Sequence, residues 1–241
     1  MVIMMMDAKK EKNNMKVKLI SYSQPSPEFL EETGMSSLED LIAHAARVSN
    51  PTNQLNTNTA PKLIGYLIRN KHWSPLEMVS ATLEINTTRD IARQILRHRS
   101  FSFQEFSQRY ADPTQMEFEW RETRLQDPKN RQSSLTTDDI NLDYNWRIQQ
   151  ALCIENAKNT YKWAIDNGIA KEQARCVLPE GMTASRMYMA GTLRSWVHYI
   201  QLRAKNGTQL EHQKVALACA EELTKVFPLM GELTNDLGGM L

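Results

Sequence analysis

The chain has 241 residues, of which 41% are hydrophobic and 24% charged. These proportions belong to a globular protein and exclude disordered, collagen-like and supercharged chains. Lys and Arg total 29 against 28 Asp and Glu, a formal charge of +1. That near-balance argues against a general nucleic-acid surface and leaves room for a local arginine cluster.

Residues 1–15 read as a disordered extension. Their six-residue apolar start precedes the lysines, the reverse of a secretion signal. Residues 16–241 read as one α+β domain, a small mixed or antiparallel sheet with flanking long helices. The first strand is expected over 16–23, with Val17 and Leu19 alternating. A helix over 36–49 has Ser36 or Ser37 as cap and Glu39 and Asp40 in its first turn. The Asn-, Thr- and Pro-rich stretch that ends at Pro61 is a loop, and a helix resumes over 62–69.

After the His72-Trp-Ser-Pro turn, residues 76–85 read as a strand with Met78, Ser80, Thr82 and Glu84 on one face. A helix then runs from Thr87 or Thr88 to about Arg99. Ile91, Ala92, Ile95 and Leu96 form its apolar side, opposite Arg93, Gln94, Arg97 and His98. Residues 101–110 read as a loop or irregular strand, and 116–120 as a short strand. The longest helical signal, 137–165, shows no single clean apolar stripe and stops at Asn167-Gly168. A short helix over 171–178, a strand over 185–190 and helices over 191–204 and 209–226 complete the order. No run approaches eighteen apolar residues, so no membrane span is expected. The three cysteines suit a reducing, cytoplasmic setting, being too few for a disulfide framework.

Chemistry concentrates between Arg97 and Tyr110, which hold Arg97, His98, Arg99, Gln104, Glu105, Ser107 and Arg109. Adjacent guanidinium groups repel, and each can bind a phosphate through two parallel hydrogen bonds, so the cluster gains most with an anion between its members. A charged helix end followed by a surface loop explains the same residues without a ligand. A second basic group, Arg194, His198 and Arg203, lies on the 191–204 helix, and Arg175 stands apart beside Cys176. Neither the histidines nor the cysteines show paired metal-ligand spacing. No cysteine has an evident base, and phosphate-loop and serine-nucleophile motifs are absent.

Arg97-His98-Arg99 followed after seven residues by Ser107 resembles the RHR(x7)S signature of the flavin-dependent thymidylate synthases. The likeness extends to Ala45–Ser49, His72–Glu77, Ala174–Pro179, Leu193–Ser195 and Leu202-Arg203. It implies a homotetramer with sites shared between subunits, and reductive methylation of dUMP to dTMP. The methylene comes from 5,10-methylenetetrahydrofolate and the reducing equivalents from NADPH through FAD, with no metal. Carried over by position, Ser49, Arg97, His98, Arg99, Gln104, Glu105, Arg194 and His198 hold FAD. Gln94, Arg97, Glu105, Ser107, Arg109, Arg175 and Arg203 hold dUMP, with Arg175 reaching the phosphate from a neighbouring subunit and Arg203 catalytic beside the uracil carbonyl. Met78, His198 and Gly207 depart from residues common in the family and read as one coordinated variation. Two alternatives remain: a flavoprotein of this fold with a shifted substrate or limited to NADPH oxidation, and a nucleotide- or RNA-binding module built on the arginine- and phenylalanine-rich loop.

Overall fold

A computed structural model describes residues 15–205 and 207–235, so all but the last residue of the expected extension lies outside the described residues. The strands are β1 (Lys16–Tyr22), β2 (Ser80–Thr88), β3 (Ser102–Glu105), β4 (Arg124–Gln126), β5 (Ser134–Thr136) and β6 (Ala184–Thr192). The helices are α1 (Pro27–Thr33), α2 (Leu38–Ala46), α3 (Ala60–Arg69), α4 (Arg89–Ile95), α5 (Ile140–Asp166), α6 (Lys171–Ala174), α7 (Leu193–Arg203), α8 (Leu210–Thr224) and α9 (Leu229–Asn235). The fold is α+β, with a four-stranded sheet ordered β1-β2-β6-β3, flanking helices and a separate β4–β5 hairpin. Among the described residues no helix is long and apolar enough to cross a membrane.

The chain forms two compact units. Asn86–Arg93 and Glu105–Arg186 make one, here the long-helix unit; Lys16–Ile85, Gln94–Gln104 and the described part of Met187–Leu241 make the other, here the core unit.

In the core unit, β2 buries Ala81, Leu83 and Ile85 and turns Ser80, Thr82 and Glu84 outward, the alternation a half-buried strand requires. The expected start at Leu76 is too early, because residues 74–77 form a short 3-10 turn. Ser37 caps α2 in a reciprocal box with Asp40. Helix α1 is an element the periodicity does not show. Its ends are nonetheless written in the chain: Ser26 accepts from the Phe29 N–H at 3.2 Å, Pro27 follows, and Gly34 takes φ +70°. Fully buried Trp196 on α7 donates from Nε1 to the Ala81 carbonyl at 3.1 Å, which ties that helix to β2. A Cβ on Gly191 would lie 2.5 Å from the Phe101 ring, so this glycine lets the loop after Arg99 pack closely.

In the long-helix unit, α5 buries Gln150, Ile154, Ala157, Tyr161 and Ala164, a stripe spaced four, three, four and three residues apart. The stripe is masked in the sequence because its outer face carries Leu142, Trp146, Leu152 and Trp163. The expected strand over 116–120 does not form; those residues carry no strand pairing. Arg121 anchors the segment instead. Its backbone exchanges hydrogen bonds with the buried Gln150 amide, and its guanidinium reaches both oxygens of Asp90 at 2.7 and 3.0 Å.

Candidate active site

Helix α4 ends at Ile95, earlier than its polar face suggests. Arg97 and His98 follow in tight turns, their amides bonding to Gln94 and Ile95 carbonyls. Arg97 and Arg99 are exposed, and among the described residues no hydrogen bond or ion pair engages either guanidinium.

His98 is instead drawn into the core unit. Its ring meets Tyr199 edge-on at 5.0 Å, and its Nε2 accepts from Arg203 Nε at 2.9 Å. That acceptor role requires a neutral imidazole with its hydrogen on Nδ1. Burial, and then the Arg203 charge, lower the His98 pKa, which favours this form. Arg203 is thus fixed at Nε while both terminal nitrogens lack a protein acceptor among the described residues.

Behind this pair lies His212, fully buried and bonded to Gln94 Oε1 at 3.1 Å and the Tyr199 hydroxyl at 3.2 Å. Burial, then Arg203 and His98, bring its pKa down to about 3. Burial also raises the Tyr199 phenol. Neither residue belongs to a recognised motif. The available signal was register, since His212 shares the apolar face of α8 with Val215, Ala216, Cys219 and Leu223.

Arg194 and His198 occupy another part of the core unit. Arg194 Nη1 pairs with Glu77 at 2.6 Å, while its buried Nε has no partner among the described residues. His198 meets the Trp73 ring edge-on at 4.3 Å, and burial followed by the Arg194 charge lowers its pKa. Gln104 is exposed at the end of β3, Ser49 is exposed beyond α2, and Met78 is 64% exposed.

The remaining candidates fall in the long-helix unit. Glu105 accepts from Ser185 at 2.7 Å and lies 3.5 Å from buried Arg89, a cation the motif reading missed. Ser107 Oγ accepts from the Arg109 N–H at 3.4 Å. Arg109 stands 3.9 Å from the Glu172 carboxylate, and Arg175 donates to the Glu172 carbonyl at 3.3 Å. Arg109 and Arg175 of one chain thus both contact Glu172, the first at its carboxylate and the second at its backbone.

A family model described as "Thymidylate synthase complementing protein" matches residues 30–229. A probable flavin-dependent thymidylate synthase of Paramecium bursaria Chlorella virus 1 is 49% identical over 214 residues, covering 89% of this chain and 96% of that protein. The chain belongs to the flavin-dependent thymidylate synthase family. A flavin-dependent thymidylate synthase of Synechocystis sp. is also 49% identical, with the same coverage. The fold resembles a UMP/dUMP methylase, PolB of Streptomyces cacaoi, solved with 5-Br dUMP: TM-score 0.72, 27% identity, covering 92% of this chain and 95% of that one. The chain is accordingly a flavin-dependent thymidylate synthase in its general reaction.

None of the cysteines suggests a nucleophile. Cys153 and Cys176 are exposed, with no hydrogen-bonded base among the described residues, and burial pushes the Cys219 thiol upward, away from thiolate. Among the described residues no group of three or more His, Cys, Asp or Glu could hold a metal ion.

Proposed function

We propose that this enzyme methylates C5 of dUMP, with 5,10-methylenetetrahydrofolate as carbon donor, NADPH as reductant and FAD as bound cofactor. In the balanced reaction the C5–H proton is lost, the methylene carbon bonds to C5 as its two C–N bonds to folate break, the two folate nitrogens each take up a proton, and a hydride equivalent reduces the carbon to methyl. dTMP, tetrahydrofolate and NADP leave. The observation that carries the reading is the Arg203–His98 contact, because it holds a cation by one nitrogen and leaves its terminal fork for a ligand.

The donor set fits FAD. Arg97 and Arg99 supply unpaired guanidinium groups suited to a pyrophosphate, and the buried, unpartnered Arg194 Nε supplies a further hydrogen. FAD when bound relays two electrons from NADPH to the methylene carbon. His98, Gln104, Glu105 and His198 are assigned to the same cofactor, and Ser49 is its outlying candidate.

Around dUMP, Gln94, Arg97 and Glu105 orient the nucleotide. Ser107 and Arg109 meet the phosphate, and Arg175 reaches it from a neighbouring subunit. Arg203 meets the uracil carbonyl, where attack by C5 develops negative charge. A fixed cation there stabilises the transition state more than neutral dUMP, and so raises the rate rather than only the affinity.

A homotetramer with sites shared between subunits is supported by α5, which exposes Ile140, Leu142, Tyr144, Trp146, Leu152 and Trp163. Apolar side chains exposed on that scale call for a covering surface, here another copy of the chain.

The test is dTMP formation from dUMP, methylenetetrahydrofolate and NADPH, with FAD or FMN added to flavin-stripped protein and UMP run in parallel. Turnover of dUMP restored by FAD is expected. NADPH oxidation without dTMP, or restoration by FMN alone, would overturn the reading.

A further inference from the structure

His212 lies in a hydrogen-bonded chain whose direction can be worked out from one end. Gln209 Nε2 donates to the Glu211 carboxylate at 3.0 Å, since a carboxylate only accepts. The Gln209 oxygen therefore faces Gln94, and takes a hydrogen from Gln94 Nε2 at 2.8 Å. That turns Gln94 Oε1 toward His212, 3.1 Å from Nδ1, so Nδ1 must carry the hydrogen. The neutral ring then offers its Nε2 lone pair to the Tyr199 hydroxyl at 3.2 Å. Every polar atom along this path has its donor or acceptor role assigned. His212 is 0% exposed and Tyr199 is 1% exposed, so water does not offer a substitute partner.

Reversing the Gln94 amide would aim its NH2 group at the His212 N–H and its oxygen at the Gln209 oxygen. Two part-buried hydrogen bonds would become two repulsive contacts. Gln94 is therefore held in one orientation, with one N–H and one oxygen lone pair left over in a fixed order.

We propose that His212, locked in its Nδ1–H form by Tyr199, is a positioning residue that fixes the donor–acceptor order in which Gln94 reads the pyrimidine nucleotide. The proposal rests on the assignment of Gln94 to dUMP given above. It deepens that assignment: a locked amide distinguishes a uracil edge from a cytosine edge, in which an amino group replaces a carbonyl. Without His212 the amide is held by Gln209 alone, and both affinity for dUMP and preference over dCMP fall.

The experiment measures equilibrium binding of labelled dUMP and dCMP to the FAD-loaded enzyme. His212→Leu should weaken dUMP binding on the order of tenfold, one charge-free buried hydrogen bond's worth, and narrow the dUMP/dCMP ratio. His212→Asn keeps an N–H near the Nδ1 position and should recover most of both. Tyr199→Phe keeps the ring packing while releasing the tautomer, and should give a smaller loss of dUMP affinity. Nitrogen-15 spectra of the parent protein should show His212 neutral with its hydrogen on Nδ1, a readout that does not depend on whether His212→Leu folds.

An Nε2–H tautomer in the parent overturns the proposal. So does parent-like dUMP and dCMP binding in His212→Leu while Gln94→Ala binds dUMP weakly, a result that leaves Gln94 in the site. Parent-like dUMP binding by Gln94→Ala removes the underlying assignment, and the positioning role with it.

Discussion

The two groups of candidate residues are built in opposite ways. In the core unit Gln94, His98, Tyr199, Arg203 and His212 are joined through contacts of 2.9 to 3.2 Å and one edge-on ring pair, mostly out of water. In the long-helix unit Arg109 and Glu172 are more than half exposed at their side chains and stand 3.9 Å apart. A buried network fixes geometry before a ligand arrives, and a catalytic cation needs that because reorganisation during reaction costs rate. An exposed arginine pair can adjust to a phosphate, whose charge is already present in the ground state and requires binding rather than transition-state selectivity.

The comparison breaks first, if it is wrong, at Arg203. Arg203→Ala should keep FAD but lose about 3 kcal/mol of transition-state stabilisation, roughly a hundredfold in rate. Arg203→Lys should recover only part, because a flexible point charge lacks the Nε hydrogen that His98 accepts. Single-turnover dTMP formation by pre-reduced enzyme saturated with dUMP and folate measures this. A rate within about threefold of the parent would leave Arg203 a helix-end residue only.

The next effect tests the buried network through pH. His212 stays neutral in the folded protein down to about pH 3, whereas an unfolded histidine takes a proton below about 6.5. The unfolded state then binds more protons, so stability is present above pH 6.5 and declines as pH falls. Between pH 6.5 and 5, before most carboxylates titrate, His212 should account for a loss on the order of 2 kcal/mol. His98 and His198 act in the same direction. Urea midpoints across that window should fall with pH in the parent and change much less in His212→Asn. Equal slopes in the two proteins would remove His212 from the account.

For the exposed group the expectation is smaller and falls on binding. Arg109→Ala and Arg175→Ala should each raise the KM for dUMP about tenfold, or ~1.4 kcal/mol, with kcat less affected. Because Arg175 is assigned to the phosphate of a neighbouring subunit, mixing the two variants under subunit exchange should restore part of the parent activity, in sites that draw both arginines intact. No restoration on mixing would instead place the two arginines on one chain.

The smallest effect concerns cysteine. Replacing Cys153, Cys176 and Cys219 together with Ser should preserve the single-turnover rate, with a packing loss confined to buried Cys219. Loss of the chemical step in a folded single variant with normal flavin reduction would establish a covalent cysteine mechanism.

Much of the element order was readable because local physics repeats along the chain. The alternation of Ala81, Leu83 and Ile85 marks β2, and Ser37 with Asp40 marks the start of α2. Other elements failed for definable reasons. The outer face of α5 carries large apolar residues, so its buried stripe of Gln150, Ile154, Ala157, Tyr161 and Ala164 has little contrast. Residues 116–120 alternate like a strand, but their anchor is Arg121, whose partners Asp90, Gln150 and Gly181 are distant in sequence.

By itself the sequence determined the family, the α+β class and the residues that carry charge, because RHR(x7)S and the accompanying segments are matters of residue type and spacing. Only the tertiary structure decided which of those charges are committed. Arg97 and Arg99 share a motif with His98, yet their guanidinium groups remain exposed while His98 is turned inward to hold Arg203. His212 resembles any histidine on an apolar helix face until α4, α7 and α8 bring Gln94 and Tyr199 to its two nitrogens. Whether a histidine is neutral, and which nitrogen carries its hydrogen, depends on burial and on partners more than a hundred residues away in the case of Gln94. Those quantities arise from packing and have no local signature in the chain.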